Sequence, residues 1–213
     1  DTKTAWLGLA LHTFNLMVSL CDILNYGSFE EKRTHLTEFL TVDFKHQINQ
    51  SCSFLQKGKT ILYPTDTVWG LGCDATNQKA VSKIFTLKNR SDSKALICLM
   101  KDITMIENYV DTVPVLAKKL IVEATKPLTI IYPKAKNLAP NLIAQDGSIA
   151  IRIPNHSFCQ KILTQFNKPI VSTSANESGK KTPQSFDEIT LNILEQVDYV
   201  VNLQEKEATG TPS

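Results

Sequence analysis

Several chemistries are excluded by what the 213 residues do not contain. The five cysteines (Cys21, Cys52, Cys73, Cys98 and Cys159) are odd in number and form no CxxC pair. That argues against a disulfide framework or a cysteine zinc site and for a reducing compartment, the cytoplasm. The four histidines, His12, His35, His46 and His156, lack metal-ligand spacing, so no metal site in the protein is expected. There is no GxSxG nucleophile elbow. There is no complete P-loop either: Gly58-Lys59-Thr60 ends like one, but Ser53 stands where the first glycine belongs. The apolar pattern also puts this tripeptide after a helix and before a strand, the reverse of P-loop order, so it reads as a helix C-cap and strand entry. Lys and Arg total 23 against 21 Asp and Glu, and the net charge of +2 gives no bulk argument for nucleic-acid binding. The apolar run over 5–20 is broken by His12, Thr13 and Asn15 and has no basic flank, so it reads as helix and not as a membrane anchor.

What is present is a chain with 42% hydrophobic residues, enough for one sizeable core. Residues 1–42 differ from the rest and read as an appended helical segment, with a Gly27-Ser28 break and the charged run Glu30 to Arg33. From 43 to 213 helical and strand periodicities alternate. Helices are predicted at 43–57, 78–88 (with Asn77 as N-cap), 114–123, 157–166 and 185–196. Strands are predicted at 60–63, 95–100, 128–132, 149–153, 169–173 and 199–202. Such alternation implies an α/β layer fold and leaves strand order open.

Four polar clusters stand out from this frame. The first strand runs into Pro64-Thr65-Asp66-Thr67, followed by Gly70 and Gly72, glycines that would let backbone approach a ligand. Lys88, Arg90 and Lys94 follow the second helix; they read either as a solvated cap at the negative helix end or as a clamp for phosphate oxygens. Arg152 lies inside the apolar strand Ile149 to Ile153 and requires an anionic partner or a sheet face open to solvent. Ser172-Thr173-Ser174-Ala175-Asn176 places hydroxyls and an amide just past a buried strand, groups suited to lining a cleft.

In this order the motifs PTDTVWGLG (64–72), KxR (88–90), SIAIRIP (148–154), STSANESG (172–179) and the terminal GTPS resemble the YrdC/TsaC family of threonylcarbamoyl-AMP synthases. The resemblance covers 43–213. It implies a YrdC-like twisted mixed sheet flanked by helices, with a concave basic cavity. It further implies an enzyme, a nucleotidyltransferase of tRNA modification that makes threonylcarbamoyl-AMP and pyrophosphate from L-threonine, bicarbonate and ATP. Carried over residue by residue, Lys88, Arg90 and Lys94 would meet the ATP phosphates, and Ser148, Ser174, Asn176 and Thr182 would hold the nucleotide. Thr67, Ser172 and Ser213 would contact threonine. Lys88, Arg90 and Arg152 would act on the reacting groups, with Arg152 where carbamate and α-phosphate meet.

Mg²⁺ is implied with ATP, Asp66 being a candidate for its indirect support. Implied partners are a downstream threonylcarbamoyl transferase and, as a further one, tRNA or double-stranded RNA; the alternative reading is a non-catalytic RNA-binding module of the same fold. The sequence departs from the family pattern at Ala95, where a proline is usual, and at Ala124-Thr125-Lys126-Pro127, in place of W-P-G-P. The pattern also continues past GTPS, so a C-terminal closing segment is expected to be missing.

Overall fold

A computed structural model describes residues 44–89 and 96–203. The N-terminal extension, Arg90, Lys94, Ser213 and any closing segment lie outside the described residues. The fold below is that of the compact unit Gln47–Ser213.

Helix α1 (44–56) ends where the sequence puts its cap. Gly58 takes φ +68° and closes the helix by donating its N–H to Leu55 O, and Lys59 N–H reaches Phe54 O. The GKT tripeptide is therefore a helix stop followed by β1 (Ile61–Tyr63). Strand β2 (Gly70–Asp74) leads to α2 (Gln78–Leu87), whose N-cap Asn77 accepts from Lys79 N and Ala80 N, as its position predicts. Then follow β3 (Ile97–Leu99), α3 (Ile103–Tyr109), α4 (Val115–Glu123), β4 (Thr129–Tyr132), β5 (Ile149–Arg152), α5 (Ser157–Phe166), β6 (Ile170–Ser174), α6 (Leu191–Gln196) and β7 (Tyr199–Val200).

Two elements escape the sequence pattern, β2 and α3, and one expected helix divides. Over 185–196 a 3-10 turn at Phe186–Glu188 is separated from α6 by Ile189 and Thr190 in extended backbone. Ile189 is buried there, so a core contact overrides helical continuity.

Among the described residues seven strands form one mixed sheet in the order β4-β5-β3-β6-β2-β1-β7, parallel only at β3–β5 and β1–β7. Its register aligns one row across six strands: Ile131, Ala150, Ile97, Ser172, Gly72 and Ile61. Side chains alternate along each strand, so this row shares a face with Thr129, Arg152, Leu99 and Ile170 on one side and Ser174, Gly70 and Tyr63 on the other. The opposite face carries Leu62, Leu71, Cys73, Cys98, Ile151 and Val171. It packs on Val81, Ile84 and Phe85 of α2 and Met105 and Ile106 of α3 to form the main core.

The first face is closed over only part of its width. Ile61, Tyr63, Leu99 and Ile170 are buried, as are Leu55 of α1 and Phe158, Ile162 and Leu163 of α5. Cys52 of α1 reaches Ile162 O, and Cys159 of α5 reaches Pro64 O. Toward β4 the cover ends: Ala150 and Ile97 are half-buried and Ile131 is 69% exposed. Arg152, Ser172 and Ser174 therefore sit on a sheet face that is open at one side.

The β1–β7 edge is fastened by Asp198, which accepts from Thr60 N and Thr60 Oγ1 (both 2.8 Å) and from Lys83 Nζ of α2 (2.6 Å). Partial burial works to raise its pKa, but the hydrogen bonds from Lys83 and Thr60 outweigh it and bring the carboxyl from 3.8 down to about 2. A depressed carboxylate stabilises the fold above its unfolded pKa and loses that contribution as pH falls through the folded value. Asp198→Asn is expected to cost roughly 1–2 kcal/mol near neutral pH after solvent screening, the deficit vanishing between about pH 4 and pH 2. Urea unfolding of both proteins across that window checks it; a deficit that persisted at the acid end would contradict the carboxylate's role.

Candidate functional site

The open face is built around a buried arginine. Arg152, 5% exposed, places Nη2 3.3 Å from Asp66 Oδ1 and 3.4 Å from Thr67 Oγ1. The anionic partner that a cation in an apolar strand requires is thus Asp66, whose other oxygen accepts from Asn155 N at 3.3 Å. Asp66 is turned to these two groups, one an ion pair and the other a backbone N–H. The β1–β2 turn holds it there through its own hydroxyls: Thr65 Oγ1 donates to Val68 O (2.7 Å), accepts from Thr67 N (3.2 Å) and lies 3.1 Å from Thr67 Oγ1.

Arg152 is not fully matched. Its Nε and the Oγ1 of Thr129, paired with it in the β4–β5 register, are both buried without a hydrogen-bond partner among the described residues. Buried donors of this kind are uncommon unless something else meets them.

Ser172 lies in the central row. A Cβ built on Gly70 would stand 3.1 Å from Ser172 Oγ and 3.1 Å from Thr65 Cγ2. A Cβ on Gly72 would stand 2.7 Å from both Tyr63 Cε1 and Val171 O. The two glycines therefore make room for Tyr63, Thr65 and Ser172. Burial pushes the Tyr63 phenol far above its ordinary range and keeps it neutral. Burial also raises the thiols of Cys73, Cys98 and Cys52, the last to about 11, which keeps them out of thiolate chemistry.

A second cluster joins the end of α2 to the loop after β6. Lys88, 3% exposed, donates through Nζ to Ser174 O (2.6 Å), Asn176 O (2.6 Å) and Asn176 Oδ1 (3.3 Å). Ser174 Oγ donates to Asn176 Oδ1 at 2.5 Å, and Asn176 Nδ2 donates to Glu177 O and Lys180 O. The backbone closes the link, Ser178 N reaching Lys88 O at 2.8 Å. Three of the motif residues thus contact one another. Thr182 follows in the same loop, its carbonyl accepting from Gln184. Ser148, at the start of β5, binds Asp146 instead: its N–H donates to Asp146 Oδ1 at 2.9 Å, and its hydroxyl and amide hold that carboxyl below its usual pKa.

Beside Asp66 lies a cavity of about 520 Å³ walled by the segment 124–128 together with Ile153, Pro154, Asn155 and Gln160. The segment in which the sequence departs from the W-P-G-P pattern is therefore a wall of this cavity. Sequence reasoning missed Asn155 and Gln160. The demand of Arg152 for a carboxylate was the signal that could have found Asp66, the acidic member of the nearest motif.

Fold and site define an α/β domain whose functional groups, an arginine, hydroxyls and an amide, stand on the open part of a mixed sheet. The Sua5/YciO/YrdC family model, described as telomere recombination, matches residues 53–213, and the chain belongs to this family. A threonylcarbamoyl-AMP synthase of Pseudoalteromonas translucida is 38% identical over 151 residues, 70% of this chain and 81% of that protein. One from Photobacterium profundum is 35% identical over 157 residues, 72% and 85% of the two chains. Among solved structures, P. abyssi Sua5 complexed with L-threonine superimposes with a TM-score of 0.71 at 28% identity, covering 76% of this chain. This chain spans 47% of that longer protein. The relatives are named as synthases, and the non-catalytic RNA-binding alternative is not favoured. Among the described residues no helix is long and apolar enough to cross a membrane.

Proposed function

We propose that the open part of the sheet is the active site of an L-threonylcarbamoyladenylate synthase, a nucleotidyltransferase that joins L-threonine, bicarbonate and ATP into threonylcarbamoyl-AMP and pyrophosphate. The product serves a threonylcarbamoyl transferase acting on tRNA. The observation that carries the reading is Arg152: a buried guanidinium beside Thr67 whose Nε has no partner among the described residues.

The chemistry matches a site built from cations and hydroxyls. The neutral amine of threonine combines with bicarbonate to give a carbamate and water. A carbamate oxygen then bonds to the α-phosphorus as the bond to the β-phosphate breaks and pyrophosphate leaves. The nucleophile is already an anion, so the protein's task is alignment and charge compensation. In this reading Thr67, Ser172 and Ser213 hold threonine, and Arg152 lies against carbamate and α-phosphate. Ser148, Ser174, Asn176 and Thr182 form the nucleotide end, with Arg90 and Lys94 beside the triphosphate and Lys88 at the same end of the site, against Ser174 and Asn176. Mg²⁺ enters as part of the substrate MgATP, held by phosphate oxygens and water, since Asp66 is engaged with Arg152 and Asn155.

The test is pyrophosphate release by the full-length protein. Release should require ATP, bicarbonate and L-threonine together and should fall at least about tenfold with L-valine, which lacks the hydroxyl. ATP binding without threonine-dependent release, or equal release with either amino acid, would overturn the reading.

A further inference from the structure

Lys88 sits at the C-cap of α2, where a cation next to a phosphate-binding loop would ordinarily be taken to point at the ligand. Its surroundings say otherwise. Lys88 is 3% exposed, and among the described residues its ammonium is directed at three oxygens, Ser174 O, Asn176 O and Asn176 Oδ1. Two of these contacts are 2.6 Å, short in the manner of charge-assisted bonds. The same carbonyl of Ser174 accepts from Asn176 N, and the carbonyl of Lys88 accepts from Ser178 N. Lys88 therefore grips the loop through its side chain and its backbone at once.

We infer that Lys88 is a positioning residue: it clips the 174–178 loop to the end of α2 and thereby shapes the nucleotide end of the site, without itself contacting phosphate. This rests on the proposed synthase reading, in which that loop holds ATP. Two features favour the clip. Reaching a phosphate would take the ammonium out of a buried cage of carbonyl dipoles and leave the carbonyls of Ser174 and Asn176 without their charged donor. The carboxamide of Asn176 is also committed to the loop, accepting from Ser174 Oγ and donating to Glu177 O and Lys180 O. Lysine and loop thus form one hydrogen-bonded unit, and removing the ammonium frees the loop as a whole.

A phosphate ligand and a clip differ in which nucleotides they affect. In Lys88→Met the clip predicts that affinity for ATP, AMP and adenosine falls by a similar factor, roughly tenfold or more, because the loop and not the phosphate chain has lost its support. Amide hydrogen exchange should rise over 175–180, while β2, β3 and β6 keep their protection. Binding is measured by calorimetry on the full chain. Loss confined to ATP, with adenosine affinity and loop protection unchanged, would overturn the inference. If Lys88→Met does not fold, Lys88→Arg goes through the same measurements; it keeps the charge, but its planar donors cannot converge on the same three oxygens. Wild-type protein that binds none of the three nucleotides would instead bring down the synthase reading.

Discussion

Arg152→Ala is expected to abolish most threonine-dependent pyrophosphate release, by at least about a hundredfold, and to destabilise the fold by about 3–5 kcal/mol. The two losses have different causes. Asp66 is as buried as the arginine, 6% exposed at the side chain, and without Arg152 its charge keeps, among the described residues, the amide of Asn155. Breaking one partner of a buried pair is costly because it strands the other. Adding Asp66→Asn to the alanine variant removes the stranded charge and should recover part of the stability, on the order of 1–2 kcal/mol, with no recovery of turnover. Urea unfolding and pyrophosphate release on the wild type and the two variants separate the effects. Activity returning with stability would mean that Arg152 only supports the fold.

Gly72→Ala should be the most damaging small substitution in the sheet. The added methyl would sit 2.7 Å from a Tyr63 ring carbon and 2.7 Å from the Val171 carbonyl oxygen. A ring can shift, but Val171 O belongs to β6, which is paired to β2 over its whole length. The strands must part, at an expected cost of about 2–4 kcal/mol or loss of soluble protein. Tyr63→Ala in the same chain should not rescue it, since the backbone clash remains. A thermal midpoint within about 2 °C of wild type would refute the steric account, because about 1 kcal/mol already moves a domain of this size by about 2–4 °C.

The sequence made much of this architecture legible because its helices and most of its strands carry clean periodicities and recognisable caps. Asn77 opens α2 and Gly58 closes α1 by local chemistry, which needs no knowledge of the rest of the chain. Arg152 was readable for a similar reason: a guanidinium among isoleucines demands a partner. Strand β2 was not, since Gly70, Gly72 and Asp74 score poorly as strand formers. Their use appears only when Tyr63 and β6 are in place. The inward turn of Lys88 was equally hidden. A cation after a helix reads as a solvated cap, and the carbonyls that bury it come from residues 86 and 88 positions away in the chain. Ile189 interrupts a helix for a core contact that no local pattern announces.

The row that crosses six strands has a consequence for how this chain can tolerate change in length. Ser172 belongs to that row, and Arg152 and Ser174 stand two residues from it on the same face. Each is aimed by an even count along a pleat and by the strand beside it, not by a loop. Connections between strands can lengthen or shorten while these side chains keep their direction. A single residue inserted within β5 or β6 has the opposite effect: past the insertion it sends the functional side chain into the apolar core and brings a core residue out in its place. Parity within the strands is thus as strict a requirement on this site as the identity of its residues.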